Sequence, residues 1–429
     1  MNCIFTAKYL VSGDAPPVEG GALLVREGKI QARGSLPELK RRNPGAEVID
    51  FAEAIMVPLL INAHTHLELT DYPLWREKAG HEQEAESFVD WILQLIKIKS
   101  GLDKRDYFSS LENGIQQSLA SGTGAVGDIL AHHRARTVYQ SGALTGRLFL
   151  ETLGQEPASI QRVKKALDGA LRESTSGLMT LGLSPHSPYT IRADYLRKIY
   201  SRCRREGIYC TTHLAESAEE VDFIEHGRGA LAGKFYPFVG WQNYLPSASS
   251  LRPTEYLEQQ GGLFPQNLLV HGVQLNEAEI ELLGRNGMHL VLCPRSNARL
   301  RVGKAAAGRL LAAGVKLALG TDSLASCDSL SIWDEMAFAH RWFAGELDAP
   351  RLFQLATMGG ADALGLGHQL GSLSNGKAAG FQVLVPQTTV AVKDLFDYFV
   401  APGRTQDIVE VYHRGQPQLS RPDHPVKMK

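Results

Sequence analysis

Eight short apolar runs recur along the middle of the chain, and stretches of helical pattern separate most of them. Buried strands that alternate with helices are typical of a (β/α)8 barrel, and a doubly wound open sheet is the competing α/β architecture. The helical stretches include RADYLRKIYSRCRREG and NEAEIELLGRNG, the second with Asn276 placed to cap its first turn. We predict a distorted (β/α)8 TIM barrel with strands at residues 55–63, 124–130, 147–152, 178–184, 208–212, 267–270, 288–293 and 315–320.

Short strands and tight turns mark both ends of the chain. GGALLVREGKIQARG has the pattern of a β-hairpin that turns at Glu27–Gly28, and LGSLSNGKAAGFQVLVP and DIVEVYHRGQP repeat this strand-and-turn style. Because chain ends often lie close together, these strands are expected to pair. We predict a small β-sandwich domain from residues 1–57 and 370–429, and a barrel domain over residues 58–369.

An insertion at residues 217–266 separates the fifth and sixth predicted strands by more than one helix. Long ordered loops in compact domains are commonly lids or binding loops, with a flank excursion or a subunit contact as the alternatives. The segment leaves and rejoins the barrel beside two strand ends, so we expect it to form a wall of a pocket. Its clustered aromatic residues are Phe235, Tyr236, Phe238, Trp241 and Tyr244.

Composition narrows the function classes. The chain is 44% hydrophobic and 21% charged, with a net charge of -1. These values exclude a disordered chain and offer no electrostatic footprint for nucleic acid or an anionic membrane. The five cysteines are scattered without a CxxC pair, which argues against disulfides and favours a cytoplasmic setting. A small molecule is the expected partner, and a homodimer is left open.

Polar side chains follow four of the predicted strands. His64 and His66 alternate at the end of the first strand, so both imidazoles point to one face and can bind one ion. In a barrel, the carboxyl ends of the strands form the active-site face. Histidine and aspartate together suit zinc or another divalent ion. The other three strand ends supply His213 with Glu216, His271, and Asp322.

Each of these groups has a structural alternative. A histidine after an apolar run can be a satisfied core residue, and Asp322 after Gly-Thr can cap a helix. Glu216 can be a first-turn carboxylate that a helix dipole favours. The structural reading weakens because all four strand ends carry such groups at the same end of the barrel.

The ordered set HTH, HLAES, VHG and GTDS resembles the amidohydrolase superfamily, in particular its branch of adenosine-type, guanine and triazine aminohydrolases and chlorohydrolases. The set HTHLEL, CPRSN and GTDSLAS is also similar to that of aminodeoxyfutalosine deaminases. The resemblance implies that Glu216 moves protons, that His271 contacts the attacking water or the substrate, and that His186 in SPHSPYT binds the substrate. It implies that one metal ion is held by His64, His66, His213 and Asp322.

The expected cofactor is one divalent metal ion, zinc by preference, with iron or manganese as alternatives. A bound metal lowers the pKa of water to about 7. Asp322 is suited to accept the proton of that water, His271 to orient it, and Glu216 to protonate a ring nitrogen and then the leaving amine. Binuclear members of this superfamily often use a bridging lysine at strand three or four. Strand four of this chain offers no lysine, which favours a mononuclear site. Glu151, at the end of strand three, keeps a binuclear alternative open.

We predict a hydrolytic deaminase of an adenine-like ring in a modified nucleoside, similar to aminodeoxyfutalosine or to adenosine and S-adenosylhomocysteine. The alternatives are a guanine deaminase, a triazine-type hydrolase and a catalytically silent ligand-binding barrel. An oxidoreductase is disfavoured, because the GxGxxG at residues 122–127 follows a helix and opens a strand. Arg295 and Trp91 are further candidates for substrate contact, with a scaffold ion pair and core packing as their respective alternatives.

Overall fold

A computed structural model describes residues 2–81, 84–142, 144–172, 177–420 and 427–428. Its centre is an eight-stranded, all-parallel sheet in which each strand pairs with the next along the chain. This arrangement confirms the predicted (β/α)8 barrel. The barrel strands are β1 Leu60–Thr65, β2 Thr123–Leu130, β3 Thr145–Thr152, β4 Met179–Pro185, β5 Cys210–Leu214, β6 Asn267–His271, β7 His289–Leu292 and β8 Lys316–Leu319.

The barrel closes where the first and eighth strands meet. Thr65 and Asp322 form a parallel bridge there. The Asn62 side chain donates to Thr321 Oγ1 at 2.7 Å and accepts from the Thr321 amide at 3.1 Å. Fully buried polar groups need such partners, because an unpaired one costs about 1–3 kcal/mol. The seam is therefore held by side chains as well as by backbone.

The barrel is distorted at two places, one of them opposite the seam between β1 and β8. Between β4 and β5 the ladder has a single register pair, Leu183 with Cys210. The pairing of β1 with β2 also shifts register twice. The predicted distortion is confirmed at both places.

Most helices lie between the barrel strands, whereas Leu36–Arg42 packs on an end sheet and the helices from Ile332 onward follow the last barrel strand. In the described part of the chain, none of them is both long enough and apolar enough to span a membrane. The α-helices are Leu36–Arg42, Tyr72–Lys78, Phe88–Ser100, Lys104–Ala120, Pro157–Arg172, Ala193–Glu206, Ala218–His226, Tyr236–Phe238, Pro253–Gln259, Glu277–Arg285, Pro294–Arg299, Ala307–Ala312, Ile332–Trp342, Ala349–Gln354, Gly360–Ala363, Leu395–Phe399 and Arg404–Asp407. Short 3-10 helices are Leu67–Leu69, His133–Ser141, Gln242–Tyr244 and Val392–Asp394, and π-helical turns are Leu231–Phe235 and Leu355–Gly359.

Strands from the two chain ends form two further sheets. An aromatic cluster joins them: the ring of Phe5 lies 4.9 Å from that of Phe381 and 5.1 Å from that of Tyr412. The predicted hairpin is confirmed, with Glu27 and Gly28 both at positive φ, as a two-residue turn requires. The strands are Asn2–Thr6, Tyr9–Leu10, Val18–Glu19, Gly21–Arg26, Lys29–Ser35, Glu47–Asp50, Ile55–Pro58, Phe381–Leu384, Ile408–His413, Gln416–Ser420 and Lys427–Met428.

The division into a sandwich domain and a barrel domain stays a prediction, and residues 421–426 and 429 of its last segment lie outside the described residues. One predicted strand is wrong as a single element. The run at residues 55–63 is two strands, Ile55–Pro58 in an end sheet and Leu60–Thr65 in the barrel. Periodicity did not reveal the break, because both strands are buried throughout.

The end sheets dock on the barrel through buried polar contacts. The Gln382 amide donates to the carbonyl oxygens of Pro58 and Gly122 at 3.1 and 3.3 Å, and its oxygen accepts from Trp333 Nε1 at 3.1 Å. A Cβ at Gly122 would overlap the Gln382 amide. This glycine of the GxGxxG run therefore serves close packing.

His413 makes a second link between an end sheet and the barrel. Its Nε2 lies 2.9 Å from Thr145 Oγ1, and the residue is 6% exposed. Burial, and then the charge of Arg414, lowers the pKa of His413 to about 4. The folded protein therefore holds this imidazole neutral, whereas an unfolded chain protonates it near pH 6.5.

We expect His413 to contribute to acid destabilisation. Its folded-state pKa is depressed, so its contribution is present above pH 6.5 and is lost as the pH falls toward 4. Between pH 7 and pH 4.5 the wild-type protein should lose about 2–3 kcal/mol more free energy of unfolding than His413→Gln. Urea unfolding followed by tryptophan fluorescence measures this difference. His368→Gln, at an exposed position, is the control and should keep the wild-type pH dependence of the free energy of unfolding. The same pH dependence in His413→Gln would contradict the assignment.

Candidate active site

Four barrel strand ends bring the predicted histidines and aspartate into one cluster. Asp322 Oδ1 lies 3.7 Å from His64 Nε2 and 3.6 Å from His66 Nε2. The imidazole ring of His213 lies 5.0 Å from that of His64, and the ring of His271 lies 5.4 Å from that of His213. The cluster is buried at the carboxyl ends of β1, β5, β6 and β8, as the strand pattern predicts.

The two histidines on β5 and β6 each have one ring nitrogen tied to the scaffold. His213 Nδ1 donates to the carbonyl oxygen of His186 at 2.7 Å, and His271 Nδ1 donates to Asn297 Oδ1 at 2.9 Å. In the neutral imidazole these bonds place the ring proton on Nδ1, so Nε2 of both rings has no proton and presents a lone pair. Such supporting hydrogen bonds fix tautomer and orientation in metal and catalytic sites.

Asp322 is oriented in the same way. Its Oδ2 accepts hydrogen bonds from Ser296 at 2.7 Å and from Ser326 at 2.8 Å, which leaves Oδ1 toward the imidazoles. The backbone of Asp322 has φ 60 and that of His271 has φ 74. Residues other than glycine adopt this left-handed region at a cost, and such conformations cluster at functional sites.

The arrangement fits a cation. His64 is 1% exposed, and no described residue hydrogen-bonds to its Nε2. Donor atoms of His64, His66 and Asp322 lie within 4.8 Å of one another, as do those of His64, His213 and His271. A buried polar nitrogen without a partner is costly, so this donor set is explained by an ion between the residues.

Glu216 and His271 lie side by side at the cluster. His271 Nε2 is 3.6 Å from Glu216 Oε1. Burial, and then the charges of Asp322 and Glu220, raises the pKa of Glu216 well above its ordinary value. Burial lowers the pKa of His271 to about 4, so this imidazole is neutral at pH 7. The carboxyl group of Glu220 accepts from the Glu216 amide at 2.9 Å and fixes the turn that carries it.

A cavity of about 390 Å³ opens over this cluster, a volume within the range of small-molecule sites. One wall is the Phe88–Ser100 helix, and another is the insertion. Aromatic and aliphatic side chains make up most of this lining: Leu69, Phe88, Trp91, Ile92, Leu95, Ile96, Leu153, Tyr189, Phe235, Val239 and Trp241.

The predicted wall role of the insertion holds for part of its aromatic set. Phe235 and Trp241 line the cavity, with their rings 5.9 Å apart. Tyr236 is buried behind them, where its hydroxyl donates to the Tyr189 carbonyl at 2.9 Å. Phe238, the last residue of the short helix Tyr236–Phe238, is 42% exposed and does not line the cavity.

The three predicted substrate contacts differ in position. His186 and Trp91 line the cavity, and the Trp91 indole also donates to the Ala325 carbonyl at 3.1 Å. Arg295 lies outside this lining and pairs with Asp328 and, at 3.8 Å, with buried Glu335. The structure thus shows the scaffold ion pair named as its alternative, and a substrate contact by Arg295 stays an untested prediction that this geometry does not favour.

Several residues of the site were not predicted from the sequence. Asn297 and Ser296 lie on the short helix Pro294–Arg299 after β7, and Ser326 lies in the loop after β8. Lys99 lines the cavity because it shares a helix face with Trp91 and Leu95, eight and four residues earlier. The sequence signal that could have identified Lys99 as a cavity residue is its position in the apolar stripe of a helix. Glu68 and Glu151 also line the cavity, although Glu151 belongs to none of the metal-binding groups.

Solved structures share this fold over nearly the whole chain. A zinc-bound adenosine deaminase from Xanthomonas campestris matches with a TM-score of 0.80 and 24% identity, over 99% of this chain and 94% of that one. Helicobacter pylori aminofutalosine deaminase in complex with methylthio-coformycin matches with a TM-score of 0.83 and 22% identity, over 97% and 100%.

Sequence relatives place the chain more closely. It is 30% identical over 381 residues to an aminodeoxyfutalosine deaminase from Deinococcus radiodurans, covering 84% of this chain and 85% of that protein. It is 28% identical to a 5-methylthioadenosine/S-adenosylhomocysteine deaminase from Syntrophobacter fumaroxidans, covering 86% and 81%. Residues 55–404 match the family described as the amidohydrolase family. The chain that carries this His/Asp cluster at the barrel mouth therefore belongs to the amidohydrolase family.

Proposed function

We propose that the protein is a metal-dependent aminohydrolase that hydrolyses the amino group from an adenine-like ring of a modified nucleoside and releases ammonia. The observation that carries the proposal is the pairing of Glu216 with His271 beside the His/Asp cluster, inside an aromatic-walled cavity. The relatives named as deaminases of adenine-bearing compounds support it. Ammonia release from a panel of adenine nucleosides tests the reaction directly.

The residues that would hold the ion are His64, His66, His213 and Asp322. The Nε2 atoms of His64 and His66 face Asp322 Oδ1, while His213 Nδ1 and Asp322 Oδ2 are tied to the scaffold. A divalent ion held there supplies Lewis-acid chemistry and brings the pKa of water to about 7. Zinc is the ion we propose, since three imidazoles and a carboxylate suit it and a structural neighbour contains it.

The proton transfers fall to three side chains of the chain itself. Asp322 accepts the proton of the attacking water at Oδ1, the oxygen that the serines leave free. His271 holds that water through Nε2, because its Nδ1 is engaged with Asn297. Glu216 protonates the ring nitrogen next to the carbon under attack, takes up the proton of the added hydroxyl as the carbonyl forms, and passes that proton to the departing amine. The proton that Asp322 took from the water then restores Glu216.

The cavity walls position the ring for this attack. His186 is neutral at pH 7, since burial and then the charge of Lys99 lower its pKa to about 4. Its Nδ1 lies 3.1 Å from the hydroxyls of Ser187 and Thr190, which leaves Nε2 for a ring atom of the substrate. Trp91 and Trp241 offer flat faces that stack on a heterocycle and exclude water.

We expect about one divalent ion per purified chain. His66→Ala and His213→Ala each remove a ligand, so both should lose metal and activity. Elemental analysis by mass spectrometry measures the metal, and His226→Ala, an exposed histidine at a helix end, is the matched control. Wild-type metal content in both cluster variants would exclude the ligand assignment.

Replacing Glu216 should separate proton transfer from metal binding. Glu216→Gln keeps the side-chain volume and removes the acid, so the metal should remain while turnover falls by roughly 10²–10⁴. Pre-steady-state ammonia release reports the chemical step. Glu219→Gln, on the same turn but outside the cavity lining, should retain turnover. A chemical step as fast in Glu216→Gln as in the wild type would assign Glu216 a structural role.

The insertion wall should favour substrates larger than a free base. Trp241→Ala removes a ring from the wall, and stacking of this kind is worth about 1–3 kcal/mol. We therefore expect kcat/KM for a 5′-extended adenine nucleoside to fall on the order of 10-fold, with a smaller change for adenine. Tyr244→Ala, in the insertion but outside the lining, is the control. A higher kcat/KM of the wild-type enzyme for free bases than for extended nucleosides would contradict this role of the insertion.

A further inference from the structure

Two buried carboxyl groups lie beside the His/Asp cluster and have no part in the mechanism above. Asp128 belongs to β2 and is 0% exposed, and Glu68 lies in the 3-10 turn Leu67–Leu69 and is 1% exposed. Neither is among the sets of donor atoms that could hold an ion. A carboxyl group this deeply buried is costly unless its oxygens are hydrogen-bonded, so its partners indicate its role.

The two carboxyl groups bridge the ends of β1 and β2 in opposite directions. Asp128 Oδ1, on β2, accepts from the Leu67 amide at 2.8 Å, just after β1. Glu68, after β1, accepts from the amides of Ala131 at 3.2 Å and His132 at 3.0 Å, just after β2. Each strand end therefore holds the backbone of the other, and we call these three hydrogen bonds the carboxylate clasp.

The carboxylate clasp lies where the backbone ladder between β1 and β2 is interrupted. Register pairs join residues 60–62 to β2, and the next pair along the chain is Thr65 with Asp128, after a shift in register. His64 falls within this gap, and His66 follows the last pair. The ladder alone thus leaves this stretch of β1 less constrained on the side of β2, and the carboxylate clasp supplies the missing constraint.

His66 is the cluster residue that the carboxylate clasp reaches most directly. His213 and His271 are each oriented by a hydrogen bond to the ring itself. The carbonyl oxygen of His66 accepts from the Leu69 amide at 2.9 Å, so its backbone is part of the clasped turn. A shift of that turn moves the His66 imidazole relative to Asp322 Oδ1, which lies 3.6 Å from its Nε2.

Both sides of the carboxylate clasp are themselves held by buried aromatic residues. The Tyr139 hydroxyl donates to Asp128 Oδ2 at 2.8 Å, which leaves Oδ1 for the Leu67 amide. On the other side, the ring of His132 stacks on that of Tyr107, with centroids 3.9 Å apart. The two carboxyl groups therefore have fixed surroundings, as the outer partners of metal ligands do.

We propose that Asp128 and Glu68 are positioning residues of the metal site, which act through the backbone of the turn after β1 and set the place of the His66 imidazole. The inference rests on the part of the proposed function that assigns an ion to the cluster, and it adds two residues to that site. Loss of the carboxylate clasp should weaken zinc binding on the order of 10–100-fold, the usual effect of removing an outer partner of a metal ligand.

Competition with a chelator on the purified full chain measures the dissociation constant for zinc. Glu68→Gln keeps the side-chain size but offers one carbonyl oxygen to two amides, so the dissociation constant should rise. Asp128→Ala removes the acceptor of the Leu67 amide and should have the same effect. Asp128→Asn keeps one acceptor oxygen for that amide and should stay close to the wild type. The visible spectrum of the cobalt-substituted protein should change in Glu68→Gln, because it reports the geometry of the ligands.

A role in stability alone would not alter zinc binding, and a second aspartate provides the control for it. Asp407 is matched to Asp128, since it is 5% exposed and accepts from the Tyr398 hydroxyl at 2.8 Å, outside the cavity lining. Asp407→Ala should lower the free energy of urea unfolding of the metal-free protein but keep the zinc dissociation constant and the cobalt spectrum. If Asp128→Ala does not fold, Tyr139→Phe takes its place and should weaken zinc binding in the same direction.

The outcomes separate this proposal from the reaction. If Glu68→Gln and Tyr139→Phe keep the wild-type zinc dissociation constant and cobalt spectrum, the carboxylate clasp only stabilises the fold and the proposal is wrong, whether or not ammonia is released. If zinc binding weakens as expected but no adenine nucleoside yields ammonia, the positioning role stands and the proposed reaction is wrong. A wild-type chain that binds no divalent ion overturns both.

Discussion

The His/Asp cluster depends on how the first and eighth barrel strands are joined. Asn62 and Thr321 exchange hydrogen bonds at this seam, and the Asp322 amide donates to the His64 carbonyl at 3.1 Å. Backbone and side chains thus hold β1 and β8 in one register, with His66 two residues further along the same face. Because these bonds are buried, a slipped register leaves several polar groups unpaired at about 1–3 kcal/mol each. The spacing of the donor atoms is consequently a property of the barrel closure.

Around this seam, the polar atoms of the site are divided between the scaffold and the cavity. His213 and His271 each use one nitrogen for support, and Asp322 uses one oxygen. Burial of an unpaired ionisable group is costly, so the supporting bonds also make the buried cluster tolerable in the folded protein. The free atoms that remain face the same small volume, where the proposed function requires an ion and a reacting water.

The sequence predicted the features that a single strand or motif determines. Alternation placed His64 and His66 on one face, and the strand ends placed His213, His271 and Asp322 at one rim. Contacts between distant elements were not predictable in this way. The role of Asn297 depends on β6 lying beside β7, and that of Lys99 on a helix folding over the barrel mouth. Likewise, only packing decides that Phe235 faces the cavity while Phe238 faces solvent.

The passage of the chain from an end sheet directly into β1 has a consequence for biosynthesis. The strand Ile55–Pro58 precedes His64 and His66 by a few residues, yet its antiparallel partner is Phe381–Leu384, more than 300 residues later. Emerging from the ribosome, the first barrel strand gains β2 as a neighbour early, but β8 on its other side and the partner strand of Ile55–Pro58 are made much later. Closure of the barrel therefore cannot precede the synthesis of Asp322, and the end sheet is completed later still. During elongation, the incomplete barrel exposes apolar strands, a state that is prone to aggregation.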